Sequence, residues 1–142
     1  DPADYPALVR YKWCAARNGR VFYAITRINK RNIVMHRMII NPPNEMIIDH
    51  IDHNGLNNRR TNLRICTSLQ NARNRRPSKQ KKIKYKGVSS AKTRKKFQAN
   101  ITLNQKQTII GYYKTELQAA KAYDKKAKQY HGEYAFLNFP EK

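Results

Sequence analysis

Residues 47–75 carry the sequence IIDHIDHNGLNNRRTNLRICTSLQNARNR, which decides the fold of the first half of the chain. Two isoleucines lead into Asp-His at 47–50, and such a β-branched run is typical of a short strand. A polar loop follows, and the alternation of apolar and polar residues at 63–66 then predicts a second strand. Thr67 and Gln70 have the spacing of a capping box, which predicts the start of a helix. The order is therefore strand, loop, strand, helix.

Three side chains of this stretch have the chemistry of a hydrolytic site. His50 has an imidazole whose ordinary pKa of about 6.5 lets it act as a general base near neutral pH. Asp49 offers a carboxylate oxygen, and Asn71, one turn into the helix, offers an amide oxygen. Oxygen ligands suit Mg²⁺ or Mn²⁺, and two protein ligands leave coordination positions for phosphate oxygens and water. We therefore predict one divalent ion per site, held by Asp49 and Asn71.

The stretch resembles the HNH nuclease motif of phage and intron homing endonucleases. The resemblance covers roughly residues 5–75 and rests on Asp49-His50-Ile51-Asp52, Asn54, Asn57-Asn58, Asn62-Leu63-Arg64, Gln70-Asn71, Met35-His36-Arg37 and Asn41-Pro42. It implies a ββα-metal fold and phosphodiester hydrolysis that leaves a 5′-phosphate and a 3′-hydroxyl. It also implies that Asn62 orients the loop near the histidine. Asn71 stands where many members have His.

Three further residues are accessory candidates. His36 could contact a phosphate or a metal, although a structural histidine is the stronger interpretation, and Arg37 lies beside it. His53 could approach the scissile phosphate or could be a solvated loop histidine. The alternative for the whole motif is a polar loop between two strands that binds DNA without cutting it, because each polar residue in it can also form turns.

The composition of the chain indicates which class of molecule the protein binds. The chain has 142 residues and a formal charge of +21, with 30 Lys and Arg against 9 Asp and Glu. Such a charge favours nucleic acid, and we expect double-stranded DNA, with RNA as the alternative. No long apolar run or signal peptide is present, so we expect an intracellular protein of phage, bacterial or organellar origin that acts on DNA, without membrane or protein partners. The opening at Asp1 without Met suggests a fragment or a processed product.

The cysteines and the middle of the chain give two more predictions. Cys14 and Cys66 cannot form a Cys-x-x-Cys zinc site, so no structural zinc is expected. From residue 53 to residue 115 there are 17 Lys or Arg and no acidic residue. This basic segment is either a solvated tether, a localisation signal or a strap along phosphates, and we favour the strap. The strap candidates are Arg73, Arg75, Arg76, Lys79, Lys81 and Lys82.

The sequence pattern of residues 85–139 predicts a second domain. We expect one strand to start at Tyr85 and two more at 96–103 and 107–113. In the strand at 96–103, Phe97 and the alternate residues after it form one face. Thr115 caps a helix that Gly132 ends, with Ala119, Ala120, Tyr123, Ala127 and Tyr130 at helical spacing. The pattern predicts three antiparallel strands packed on one helix.

This half resembles the AP2/ERF DNA-binding domain. The matching residues are Tyr85-Lys86-Gly87-Val88, Ile110-Gly111-Tyr112-Tyr113, Glu116 to Asp124, and Leu137-Asn138-Phe139-Pro140. The family lays its exposed sheet face in the DNA major groove. On that basis the DNA-facing residues would be Lys86, Ser89, Lys96, Gln98, Asn100, Gln107 and Ile109.

The sequence thus predicts an α+β protein of two small domains: an HNH endonuclease domain at 1–76, a basic linker at 77–84 and an AP2-like domain at 85–142. The expected function is that of a metal-dependent, site-specific homing endonuclease of a mobile element. The alternatives are a DNA-binding regulator that does not cleave, and an RNA-binding or RNA-directed protein of a mobile element.

Overall fold

A computed structural model describes residues 1–77, 82–91, 96–103 and 105–140. The chain divides into two compact units, Asp1–Asn71 and Ala72–Lys142, which are treated separately below. The predicted domain limits at residues 76 and 85 stay a prediction. In the described residues, no helix combines the length and the apolar character needed to cross a bilayer. The architecture is mixed α+β, as the sequence predicts.

The first unit opens with a three-stranded antiparallel sheet. After a 3-10 turn at Pro2–Asp4 and a short helix α1 at Tyr5–Leu8, the strands are β1 (Cys14–Asn18), β2 (Val21–Ile28) and β3 (Arg31–Val34), in that spatial order. Asn29 and Lys30 both have positive φ, at 48° and 64°, which closes the second hairpin in two residues. Strands β1, β2 and β3 therefore form two consecutive antiparallel hairpins.

Helix α2 and a second, smaller sheet complete this unit. Helix α2 spans Met35–Ile40, and it ends where Asn41 takes a left-handed conformation with φ 45°. Strands β4 (Ile47–His50) and β5 (Leu63–Cys66) pair antiparallel, and helix α3 (Ser68–Asn74) follows. The backbone N–H of Gln70 donates to Thr67 Oγ1 at 3.2 Å, and that of Thr67 donates to Gln70 Oε1 at 2.8 Å. The predicted strand–loop–strand–helix order and its capping box are confirmed.

The long loop between β4 and β5 lies tightly on the first sheet. Gly55 is buried, and a Cβ atom there would lie 2.5 Å from the Phe22 carbonyl oxygen and 2.7 Å from the Tyr23 ring. Only glycine lets the loop approach β2 so closely. At its other end, Arg60 forms an ion pair with Asp4 at 2.7 Å and donates to the Ile39 carbonyl. These contacts place the loop against β2, the N-terminal turn and α2.

The second unit is a three-stranded antiparallel sheet covered by one helix. The strands are β6 (Val88–Ala91), β7 (Lys96–Leu103) and β8 (Lys106–Tyr113), and α4 spans Glu116–His131. Three alanines of α4 are fully buried against the sheet: Ala119, Ala120 and Ala127. Thr115 caps α4 by accepting from the Gln118 N–H, and Gly132 ends it with φ 53°. The predicted three strands and packed helix are confirmed.

Two details of this unit correct the sequence analysis. Tyr130 was expected on the buried face of α4, but 48% of it is exposed, and His131 is buried instead. The helix face that meets the sheet continues from Ala127 to His131, a spacing of four residues, so Tyr130 lies beside it. The first strand begins at Val88 rather than at Tyr85, because Gly87 takes a left-handed φ of 74° directly before it.

The chain after α4 is tied back by carboxylate and amide groups. Asp124 accepts from the backbone N–H groups of Asn138 and Phe139 at 2.9 and 2.8 Å. The Asn138 side chain pairs with the backbone of Lys86 like a short piece of strand, accepting from its N–H at 2.7 Å and donating to its carbonyl at 3.1 Å. Residues quoted for the AP2 resemblance thus hold the two ends of the second unit together.

Candidate active site

His50 lies at the end of β4 with its ring enclosed on three sides. Only 6% of the residue is exposed. Its ring centroid is 5.0 Å from that of His36 on α2 and 5.8 Å from that of Tyr23 on β2. Its Nε2 atom lies 3.3 Å from Asn58 Oδ1 of the loop. Strand, helix and loop therefore converge on this one imidazole.

Burial favours the neutral form of both histidines. Burial lowers the pKa of His50, against smaller opposing effects from the Asn58 hydrogen bond and from the carboxylates of Asp52 and Asp49. Burial also lowers the pKa of His36 to about 4, with smaller contributions from His50 and Arg37. An imidazole that is neutral at pH 7 can accept a proton, so His50 is in the state that a general base needs.

Asp49 points away from His50, as neighbours on a strand do, and meets Arg64 across the sheet. The register pairs Asp49 with Arg64, and Asp49 Oδ2 accepts from Arg64 Nη2 at 2.6 Å and Nε at 3.0 Å. Both side chains are largely buried, with 8% and 11% exposed. The guanidinium fixes the carboxylate at the end of β4 and balances its charge.

The residues present fit a divalent ion by their donor chemistry. A carboxylate has about four lone-pair positions, and the two N–H groups of Arg64 use part of that capacity. Asn71 is the fourth residue of α3, half-buried, with its backbone N–H bonded to the Thr67 carbonyl. Within the described part of the chain, no group of three His, Cys, Asp or Glu side chains could hold a metal. Asp49 and Asn71 therefore offer one carboxylate oxygen and one amide oxygen, the donor types that Mg²⁺ takes together with water.

Asn62 ties the two ends of the loop together. Its Oδ1 accepts from the Asp52 N–H at 3.0 Å, and its Nδ2 donates to Asp52 Oδ1 at 2.9 Å and to the Asn57 carbonyl at 2.8 Å. Its own carbonyl accepts from the Ile51 N–H. These bonds begin one residue after His50, so Asn62 has the contacts that an orienting role requires.

The accessory candidates differ in where they lie. His36 packs on His50, whereas Arg37, its neighbour on α2, is exposed. His53 is half-buried with φ 61°, and its backbone N–H bonds the His50 carbonyl at 2.9 Å. The structure therefore brings His36 into the site and leaves Arg37 at the protein surface.

Three predicted DNA-facing residues form a hydrogen-bonded group on the sheet of the second unit. Gln98 Nε2 donates to Asn100 Oδ1, and Asn100 Nδ2 donates to Ser89 Oγ at 3.0 Å. Asn100 is buried, with 7% exposed, whereas Gln98 is half-buried and Ser89 exposed. A bulge beside Asn100 adds Ile110 to the core and leaves Ile109 exposed. Lys96 and Gln107 are exposed as well.

The remaining basic candidates divide into bound, exposed and undescribed residues. The Lys86 ammonium donates to the carbonyls of Arg73 and Arg75, the latter at 2.7 Å. Burial and then the Arg75 charge lower the pKa of Lys86 to about 8. Arg75, Arg76 and Lys82 are exposed, and Arg73 is half-buried. Lys79 and Lys81 lie outside the described residues.

Sequence reasoning missed three side chains that contact Asp49 or His50, namely Arg64, Asn58 and Tyr23. Arg64 was quoted for the resemblance only, although a correct β4–β5 register would have placed it opposite Asp49. Turn formation, which is the usual role of asparagines in a polar loop, predicts that Asn57 and Asn58 both close the loop. Asn57 does so, donating to Asp52 Oδ2 at 2.7 Å, whereas Asn58 reaches His50. Tyr23 gave no signal beyond its strand propensity.

Comparison with known proteins agrees with this geometry. The sequence profile described as HNH endonuclease matches residues 41–73. An uncharacterized HNH endonuclease of Acanthamoeba polyphaga mimivirus is 32% identical over 136 residues, which cover 94% of this chain and 70% of the relative. The chain belongs to the HNH endonuclease family, and it is an endonuclease that hydrolyses phosphodiester bonds.

Proposed function

We propose that the protein is a metal-dependent DNA endonuclease of the homing type, in which the first unit cuts and the second unit selects the site. The observation that carries the nuclease part is the enclosed, neutral imidazole of His50, which follows the buried carboxylate of Asp49 at the end of β4. The +21 charge supports a polyanionic substrate.

His50 acts as the general base. It takes a proton from a water molecule, which attacks phosphorus. The bond to the 3′ oxygen breaks, and that oxygen takes a proton from solvent water, so the products are a 5′-phosphate and a 3′-hydroxyl. Asp49 and Asn71 would hold Mg²⁺ or Mn²⁺, which supplies positive charge for the phosphorane and the leaving oxygen. Arg64 orients Asp49 through its two N–H donors, and Asn62 orients the loop that follows His50.

The targeting part rests on the second unit. Its three antiparallel strands and single helix fit the AP2-like resemblance, and the sheet carries an amide-rich face at Ser89, Gln98 and Asn100. Amide groups can pair with base edges in the major groove, whereas Arg75, Arg76 and Lys82 suit phosphates. The mobile-element setting follows from the homing type.

The test of the nuclease assignment is cleavage of supercoiled plasmid DNA with Mg²⁺. His50→Ala should bind DNA like the parent and cut at least about 10²-fold more slowly, which is a typical general-base contribution. Asp49→Ala and Asn71→Ala should each lose Mg²⁺-dependent cutting, and EDTA should abolish it in the parent. Lys12→Gln, an exposed cation outside the site, is the control for handling and purity. Unchanged cutting by His50→Ala would show that His50 is not the general base. Full cutting in EDTA would show that the reaction needs no metal ion.

A further inference from the structure

Asn58 has a contact pattern that separates it from the other loop asparagines. It is buried, with 9% exposed. Its Oδ1 lies 3.3 Å from His50 Nε2, and its Nδ2 donates to the Leu56 carbonyl at 3.2 Å. Asn57 and Asn62, by contrast, bond within the loop itself. Asn58 is thus the loop amide that joins the loop to the imidazole.

The second bond of Asn58 decides which of its atoms faces the imidazole. A carbonyl oxygen only accepts, so the Leu56 carbonyl requires the NH₂ end of the Asn58 amide on its side. The Oδ1 end must then face His50. Because Oδ1 also only accepts, the neutral imidazole carries its hydrogen on Nε2. The lone pair of the imidazole is therefore on Nδ1.

The surrounding rings hold the imidazole in that orientation. The His36 ring meets the His50 ring edge-on at an interplanar angle of 87°, and the Tyr23 ring lies against it at 56°. Gly55 brings the loop against Tyr23, so the loop cannot move away from the same cluster without losing this contact. A rotation of the imidazole by half a turn would put a carbon atom in the place of each nitrogen, and it would have to displace these neighbours.

We propose that Asn58 is a positioning residue that fixes the Nε2–H tautomer of His50 and so presents Nδ1 to the attacking water. The inference rests on the proposed role of His50 as general base. Without the Oδ1 acceptor, part of the population has its hydrogen on Nδ1 and cannot accept the proton of the water. A change of partner at Asn58 therefore acts on the rate of chemistry and not on DNA binding.

The experiment combines nitrogen-15 NMR of the His50 ring with cleavage kinetics on plasmid DNA, using the full chain at pH 7.5. The parent should show a protonated Nε2 and an unprotonated Nδ1 at His50. Asn58→Ala should show a mixture of tautomers and a kcat lowered about 10- to 100-fold with KM near the parent value, as is typical for residues that orient a site histidine. Asn58→Asp should recover the Nε2–H tautomer and part of kcat, because a carboxylate also accepts from Nε2 although it cannot donate to the Leu56 carbonyl.

The matched control is Asn57→Ala. It removes a neighbouring loop amide that bonds Asp52 and does not touch His50 in the described contacts. It should keep the tautomer and kcat even if it lowers the unfolding midpoint as much as Asn58→Ala does. A parent His50 with its hydrogen on Nδ1 would overturn the proposal even if Asn58→Ala failed to fold. Equal kcat losses in Asn57→Ala and Asn58→Ala, or no recovery in Asn58→Asp, would also overturn it.

The two proposals can fail separately. If His50→Ala still cuts, the general-base assignment is wrong, whereas the tautomer of His50 in the parent and in Asn58→Ala still tests the Asn58 contact. If His50→Ala is inactive and the tautomer is unchanged in Asn58→Ala, the general base stands and the positioning role of Asn58 falls.

Discussion

The loop between β4 and β5 and the helix of the second unit are held in place by opposite means. The loop is fixed by polar side chains: Asn62, Asn57 and Asp52 bond one another and the backbone at 2.7 to 3.0 Å. Helix α4 is fixed by close contact, with three alanines at 0% exposure on the sheet. Polar ties set the direction of a particular group, whereas apolar packing sets where whole elements lie.

This difference predicts different consequences of mutation. Each neutral hydrogen bond contributes only about 1 kcal/mol net, so losing one loop tie should leave the unit folded, and the rate should fall where the lost tie holds the imidazole of His50. A steric clash in the packed second unit cannot be relieved by moving one side chain, because close-packed interiors transmit strain. We therefore expect loop changes that touch His50, such as Asn58→Ala, to appear in rates, and packing changes to appear in stability.

The largest expected effect breaks the close packing of the second unit. Gly87 has φ 74°, and a Cβ atom there would overlap the Tyr123 ring. Gly87→Ala should lower the free energy of unfolding of this unit by about 3 kcal/mol or more, from backbone strain and overpacking together. Urea unfolding followed by circular dichroism would measure it.

Gly132→Ala is the matched control for the glycine test. Gly132 also has a positive φ, at 53°, but no atom lies within 4 Å of a Cβ placed there. It should cost roughly 1–3 kcal/mol, from backbone strain alone, and less than Gly87→Ala. If the two variants proved equally stable, close contact with Tyr123 would not be what requires glycine at position 87.

The next effect concerns pH and the first unit. The pKa of His36 is about 4 in the folded state against 6.5 for an ordinary histidine, so the unfolded chain binds more protons between these values. Stability contributed by neutral His36 is therefore present above pH 6.5 and is lost as pH falls towards 4, by about 3 kcal/mol in all.

Fluorescence of Trp13, the single tryptophan of the chain, reports on this unit. Its indole N–H donates to the Leu8 carbonyl at 2.8 Å, a bond that unfolding breaks. Urea midpoints measured this way should fall between pH 7 and pH 4.5 in the parent and fall less in His36→Phe, which keeps an aromatic ring against Tyr23 and His50. Equal pH dependence in both proteins would show that His36 does not titrate on unfolding.

Local sequence signals predicted what depends on neighbouring residues. The spacing of Thr67 and Gln70 gave the start of α3, and alternation gave β5 and β7, because caps and strand faces are set within a few residues. The predicted start of β6 at Tyr85 and the predicted burial of Tyr130 on α4 were wrong, because packing against residues distant in sequence decides both. Sequence periodicity carries no information on such contacts.

The contacts of the candidate site divide in the same way. The residue types of His50, Asp49 and Asn71 point to hydrolysis, since few other side chains serve as base and oxygen ligands. The bonds of Asp49 to Arg64 and of His50 to Asn58 depend on strand register and loop path. Neither is visible in spacing, because both cross from one segment to another through the fold.

The smallest expected effect tests whether hydrogen bonds between side chains also set the direction of a functional group in the second unit. The test concerns the sheet face proposed to read DNA. Asn100 is buried and accepts from Gln98, so it should orient the Gln98 amide rather than contact a base itself. Gln98→Ala should weaken binding to the preferred site by roughly 1–3 kcal/mol, the contribution of one bidentate pair, with the salt dependence unchanged.

Asn100→Ala should cost a similar amount, and the double variant should cost little more than either change alone, because both remove the same contact. Arg75→Gln, Arg76→Gln and Lys82→Gln should instead weaken binding to all sequences and lower the slope of log affinity against log salt by about 0.9 per lost phosphate contact. Additive losses for Gln98 and Asn100 would mean that each reads DNA independently. In that case the oriented-amide arrangement of the nuclease loop would have no counterpart on the sheet.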